Sequence, residues 1–250
     1  MNKKTMVLFS ALCLLVLNVS LACAGNEAVR ATPQELLERT SKAANVEGKS
    51  DAQVAQALNI AGLDLFFVKK RPAEAVVKHD EVVARFGNSS EFKVRTQVAR
   101  AMGNKAARLG AMNRHQEAIT TDNELLAHFG NASEPEIRTW VVSAMINKGV
   151  NLTKMNRTQE GFAVFDEVTA RFGEAPEPEP REQAAKAMFL KGRTLSELNR
   201  TQEAIAVYDE LIARFGKVSE PGMQDTGRLV GMRSVVSLAE NAKAALQMKR

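Results

Sequence analysis

Cysteine is nearly missing from this 250-residue chain: Cys13 and Cys23 are the two, both in or beside the first 24 residues. A chain cut after Ala24 would carry none, which excludes disulfides, thiolate metal sites and a cysteine nucleophile. Aromatic residues are scarce, 5% against 45% hydrophobic residues in all, and that balance suits Ala- and Val-rich helix packing better than strands. An excess of one charge is also missing. Without Lys3 and Lys4 the 34 basic side chains fall to 32 against 29 acidic ones, a formal charge of +3, too balanced for a nucleic-acid footprint. Beyond the N-terminal segment no apolar run is long enough to cross a bilayer. Gly-rich phosphate loops, nucleophile elbows and zinc-protease motifs are absent as well.

What is present begins with an address. Basic Asn2-Lys3-Lys4 precedes an apolar run from Met6 to Leu21 and the small residues Ala22-Cys23-Ala24 before Gly25. This predicts a signal peptide over residues 1–24 and export by a bacterial system, to the periplasm or outside the cell. Ala22-x-Ala24 suits an ordinary signal peptidase, while Ser20 stands where lipoprotein signals carry Leu, Val or Ile. Lipidation of Cys23, giving a membrane-anchored lipoprotein, and an uncleaved anchor are the alternatives.

Downstream, the chain repeats. Arg85-Phe86-Gly87, His128-Phe129-Gly130, Arg171-Phe172-Gly173 and Arg214-Phe215-Gly216 place phenylalanine at 43-residue intervals, and four units overlay without a gap from residue 71 to residue 242. Self-similarity at such a period marks a solenoid, in which each unit buries its apolar face against the next. Arg71, Arg114, Arg157 and Arg200 open the units, followed by Glu74, Glu117, Glu160 and Glu203, then by the small residues Ala75, Ala118, Gly161 and Ala204, which let helices approach closely. In the fourth unit Ala204, Val207, Tyr208, Leu211, Ile212 and Phe215 lie on one helical face. The glycine after each phenylalanine predicts a helix end with positive φ.

Glu134-Pro135, Glu177-Pro178 and Glu220-Pro221 fall in the following loops, where proline suits the opening turn of a helix. A second helical pattern runs over Arg95 to Met112, Arg138 to Met155 and Arg181 to Leu198, with Ala52 to Lys70 upstream and Gln224 to Asn241 at the far end. The domain reading is therefore a linker with a short helix over 25–51, opened by the capping box Thr32-Pro33-Gln34-Glu35 and ending near Lys42, then four helix pairs (52–87, 95–130, 138–173 and 181–216) with a capping helix to 241. Residues 242–250 are expected as a tail.

Gly192, Leu195, Ala204, Tyr208 and Gly216 follow one another at intervals of 3, 9, 4 and 8, and Gly149, Leu152, Gly161, Phe165 and Gly173 repeat them. These positions resemble the tetratricopeptide repeat over about residues 52–241. In the first unit Leu63 stands for the glycine and His79 for the aromatic. The resemblance implies an all-α, right-handed solenoid of antiparallel helix pairs whose groove is lined by the first helix of each pair. It implies a non-enzymatic scaffold holding a protein or peptide partner, without cofactor. Asn104 and Asn147 match asparagines that some members use to hold a ligand's backbone or carboxylate, whereas Ile60 and Asp64 depart from that clamp.

Packing needs the same residue type in every unit, and recognition needs different ones along a groove. The expected binding positions are accordingly Arg100, Asn104 and Ala107, then Ser143, Asn147 and Val150, then Lys186, Leu190 and Arg193. Lys105, Lys148 and Lys191 recur where the family places an apolar residue, and are read as stems packed on a neighbouring helix with the amine in water, or as a line of charge along the groove. His79, His115 and His128 occupy unrelated columns and form no metal pattern, so no metal site is expected. Glu81–Arg85, Glu124–His128, Glu167–Arg171 and Glu210–Arg214 are i,i+4 pairs read as scaffold, so no catalytic residue is assigned. A lipid-anchored subunit of an envelope assembly complex, or a small-ligand or hydrolytic protein with its site between helices, are the competing functions.

Overall fold

The computed structural model describes residues 48–216 and 228–248. Among them every regular element is a helix: α1 (Asp51–Phe67), α2 (Pro72–Phe86), α3 (Phe92–Ala111), α4 (His115–Phe129), α5 (Pro135–Lys154), α6 (Thr158–Phe172), α7 (Pro178–Glu197), α8 (Thr201–Phe215) and α9 (Arg228–Gln247). They alternate as first and second members of pairs, with α9 opening a further one. The expected signal peptide, the short helix expected near 32–42 and Glu220-Pro221 lie outside the described residues. None of the described helices is long and apolar enough to cross a membrane.

The helices form two compact units, the first ending at Asn147 and the second beginning at Lys148, inside α5. In the first, α1 packs on α2, α2 on α3 and α3 on α4, and α1 also meets α3. The second follows the same rule, with α7 against α6, α8 and α9, and α8 against α9. Contact between successive first helices, beside contact within each pair, is what a stacked helical repeat produces. Its core is apolar and small: Val76, Leu109 and Ala118 cluster in one unit, while Ala204, Tyr208, Leu211 and Phe215 line the inner face of α8 in the other.

Close approach explains the small column. A β-carbon at Gly161 would fall 2.7 Å from Thr153 Cγ2 and 2.8 Å from the Gly149 carbonyl oxygen, so α5 and α6 meet backbone to backbone. The long first helices open earlier than expected, at Phe92, Pro135 and Pro178, because the residues before Arg95, Arg138 and Arg181 complete a first turn. The closing helix runs on to Gln247, so most of the expected 242–250 tail is helix.

Two sequence expectations are corrected at the turns. Gly87, Gly130, Gly173 and Gly216 are right-handed, with φ of −55°, −55°, −61° and −69°. Each donates its N–H to the carbonyl four residues back, and a β-carbon would lie 2.6, 2.3, 2.5 and 2.4 Å from that oxygen, so glycine is needed for space rather than for positive φ. The left-handed residues are instead Lys70, Asn113, Asn156 and Asn199, φ 56° to 61°, which close the tight turn inside each pair. Asparagine tolerates that conformation far better than most side chains. Arg114, Arg157 and Arg200 then return their N–H groups to Leu109, Leu152 and Leu195, each at 2.9 Å.

The second correction is one of register. In the first pair the corresponding bond runs from Arg71 N–H to the Leu65 carbonyl, six residues back instead of five. The turn holds one extra residue, which shifts α1 by one place. Gly62, not Leu63, is therefore the small residue facing the second helix: its β-carbon would lie 2.6 Å from His79 Cε1, as those of Gly149 and Gly192 would lie 2.6 Å from the rings of Phe165 and Tyr208.

Candidate functional site

Charged side chains recur first at the pair turns. Arg114, Arg157 and Arg200 clamp Glu117, Glu160 and Glu203 through two N–H···O bonds of 2.5 to 2.8 Å, and Arg71 holds Glu74. These hydrogen bonds hold Glu117, Glu160 and Glu203 below the usual carboxylate range. Lys105 and Lys191, read as free amines or a line of groove charge, instead bind the helix before them, at Asp80 (2.6 Å) and Asp166 (2.6 and 2.8 Å). Lys243 binds Asp209 in the same way. Of the expected i,i+4 pairs, Glu81–Arg85 and Glu210–Arg214 close at 3.3 and 3.5 Å.

Such pairing compensates the charges of the second unit at its surface. A cleft of about 480 Å³ between α6, α7 and α8 has Phe162 and Leu195 in its floor, with Lys191 Nζ and Arg200 Cζ each 5.9 Å from the Phe162 ring centre. Both cations already hold carboxylates there, so the cleft offers little uncompensated charge.

The expected binding positions divide by burial. Asn104, Ser143 and Leu190 are 1%, 3% and 3% exposed, too deep to read a partner, while Arg100, Ala107, Asn147, Val150, Lys186 and Arg193 are half-buried. The first unit carries Arg100, Asn104, Ala107, Ser143 and Asn147; Val150, Lys186, Leu190 and Arg193 belong to the second. Gly103 seats α3 on Trp140 of α5, where a β-carbon would come within 2.7 Å of the indole, and Arg100 lies 6.0 Å above the same ring. Ser143 Oγ donates to the Thr139 carbonyl at 2.8 Å, a helix-internal bond. Lys186 pairs with Glu182 at 2.6 Å and Arg193 with Glu197 at 3.5 Å along α7.

A buried polar cluster in the first unit was not anticipated. His79 stands where the third and fourth pairs carry Phe165 and Tyr208 and the second carries Asp122, and its Nδ1 stands 3.2 Å from Asn59 Oδ1. Asn59 Nδ2 donates to the Gln97 carbonyl (3.0 Å) and to Gln97 Oε1 (3.2 Å), which turns Asn59 Oδ1 toward His79 and assigns the imidazole proton to Nδ1. Burial, then the nearby Arg108 guanidinium, lowers His79 to about 3, so the ring is neutral. Arg108 is itself buried and is lowered to about 10 by that burial. Its guanidinium lies 4.2 and 4.8 Å from the ring centres of Phe66 and Phe67. Asp64, also buried, binds Lys69 at 2.7 Å. The sequence signal for the cluster was Asn59, a polar residue where the later first helices, with α1 shifted by one place, carry Gly103, Ile146 and Phe189.

Gln97 connects the cluster to the surface. It lines a second cleft, of about 410 Å³, between the first turns of α1 and α3, together with Ser50, Gln53, Gln56, Phe92, Lys93, Thr96 and Glu136. Among the described residues no three His, Cys, Asp or Glu side chains converge as metal ligands. His115 opens α4, and His128 packs edge-on against Phe129, ring centres 4.5 Å apart.

No protein-family model matches the chain, and no curated protein does. Among solved structures it is similar to an engineered protein known from a crystal structure, at 12% identity and a TM-score of 0.41, over 90% of this chain and 88% of that one. Likeness at that level leaves fold and function to be argued from this chain's own residues.

Proposed function

We propose that the chain is an exported, tetratricopeptide-type scaffold that holds a protein or peptide partner along the first helices of its pairs and carries out no chemistry itself. One contrast carries the reading. Residues that repeat in every pair are consumed by packing, turn closure and ion pairing, whereas Arg100, Lys186 and Arg193 stand in columns that change from pair to pair, and these and Asn147 keep part of their surface in water. Half-buried, locally braced polar groups lose little entropy when they meet a partner. Export is supported by Asn2-Lys3-Lys4, the apolar run and Ala22-x-Ala24.

Crosslinking in cells followed by mass spectrometry identifies the partner, and paired charge reversals then locate its site. Lys186→Glu with Arg193→Glu should weaken capture at least tenfold with helicity retained, and should lower the melting temperature, since each new carboxylate then faces Glu182 or Glu197. Arg171→Glu with Arg214→Glu, on the second helices, should leave capture intact. If the second pair abolishes capture and the first does not, the partner binds the second helices and this site is wrong.

A further inference from the structure

The cleft between the first turns of α1 and α3 is lined mainly by uncharged polar side chains. Five of its side chains are neutral amides or hydroxyls: Ser50 at the cap of α1, Gln53 and Gln56 on α1, and Thr96 and Gln97 on α3. Gln53 and Gln56 are three residues apart, and Phe92 and Thr96 four, so each pair shares a helical face.

Two of the amides are held in place from behind. Gln53 Oε1 accepts from the Ser50 N–H at 2.9 Å as part of the α1 capping box, and Gln97 Oε1 accepts from Asn59 at 3.2 Å. In both, the carbonyl end is occupied internally and the NH2 end is left to offer donors at fixed places. Gln56 and Glu136 supply acceptors, and Thr96 and Ser50 carry hydroxyls with lone pairs to share. Phe92 is 45% exposed, an unusual position for so large an apolar ring, and it forms one wall. Apart from Ala52 and Phe92 the lining is polar, so there is no apolar hole to take a peptide side chain.

Donors and acceptors interleaved around one exposed aromatic face suit a ligand that is polar at its rim and apolar on its flat side. A pyranose ring has that character: equatorial hydroxyls both donate and accept, and its axial C–H face packs on an aromatic ring. The balanced single charges Lys93 and Glu136 favour a neutral sugar over an acidic one. We propose that this cleft is a saccharide subsite, with the ring stacked on Phe92 and its hydroxyls bound by Gln53, Gln56, Thr96 and Gln97. At about 410 Å³ the cleft falls in the size range of small-ligand sites. Asn59 is then a positioning residue, since it fixes the Gln97 amide from the core.

The test is an NMR titration of the full chain with cellotriose, maltotriose and triacetylchitotriose, following the side-chain NH2 signals of Gln53 and Gln97. At least one trisaccharide should shift them saturably at millimolar concentration. Phe92→Ala should weaken that binding roughly tenfold, the scale of a lost aromatic stack, and Gln56→Ala should weaken it less, with melting unchanged in both. Asn59→Ala should reduce affinity and move the Gln97 side-chain NH2 signals of the sugar-free protein, and recovery of both by Asn59→Gln would support the positioning role. The proposal is overturned if none of the three sugars moves these signals, if binding survives Phe92→Ala, or if an uncharged tetrapeptide competes as well as the sugar. Partner capture through Lys186 and Arg193 is measured separately, so either reading can fail alone.

Discussion

Lys70 carries a φ of 56° in the turn position where the later pairs place Asn113, Asn156 and Asn199. A left-handed backbone costs a side chain with a β-carbon about 1 to 2 kcal/mol, and asparagine is relieved of much of it by local hydrogen bonding. Lys70 is exposed and its replacement removes no packing. Lys70→Asn should therefore stabilise the protein by about 0.5 to 1 kcal/mol, read as a higher denaturant midpoint at unchanged slope; an unchanged midpoint would mean that residue 70 is not left-handed. His79 gives the second test at this scale. Its folded-state pKa, lowered to about 3, lies below the unfolded value of 6.5, so the unfolded chain takes up the proton first as pH falls. The stabilising contribution is complete above pH 6.5 and is lost progressively toward pH 3, amounting to about 2 kcal/mol by pH 5. Glu117, Glu160 and Glu203 are also lowered, from 4.5, so their losses begin below the window from 6.5 to 5. Urea unfolding of His79→Phe across that window should show a flatter pH dependence than the wild type, whatever its absolute stability. Equal slopes would place His79 in water.

At the scale of helices, what was legible in the sequence depended on whether a signal could be read without knowing which faces meet. Phenylalanine at a constant spacing and the small column Ala75, Ala118, Gly161 and Ala204 reported packing directly. Asn113, Asn156 and Asn199, each just before the arginine that opens the next unit, were an equally visible mark of a left-handed turn. The glycine one helix later drew that role instead, because glycine is the usual left-handed residue. The extra residue before Arg71 was invisible to a gap-free overlay that kept every downstream column in place; the six-residue bond from Arg71 to Leu65 and the seat of Gly62 against His79 expose it. Asn104 illustrates why the site was harder to read, since polarity suggests exposure and this side chain is buried under α3's neighbours. Lys105 and Lys191 failed for a related reason: their partners, Asp80 and Asp166, lie 25 residues upstream on another helix. The small column yields its own prediction. Gly161→Ala must push a methyl against Thr153 and the Gly149 carbonyl, and should cost about 1 to 3 kcal/mol. Adding Thr153→Ser removes the methyl contact and should recover part of that loss, whereas no effect in either variant would mean that α5 and α6 are further apart than described.

For the molecule as a whole, a stacked repeat stores its stability in each pair and in the interface to the next, so damage should spread only as far as neighbours carry it. Gly62→Ala offers a local lesion, because its methyl would meet the His79 ring at 2.6 Å, inside a cluster that Asn59, Gln97 and Arg108 leave little freedom to relax. Native-state hydrogen exchange then distinguishes two kinds of cooperativity. In a nearest-neighbour array the variant should lose protection in α1 and α2, lose less in α3, and leave the amides of α7 and α8 exchanging at wild-type rates. A globular domain unfolding as one unit would instead lower every strongly protected amide by the same factor. Uniform loss would argue against independent stacking, and the functional reading would have to change with it, since a scaffold that presents successive pairs to a partner relies on each pair holding its own surface while its neighbours are disturbed.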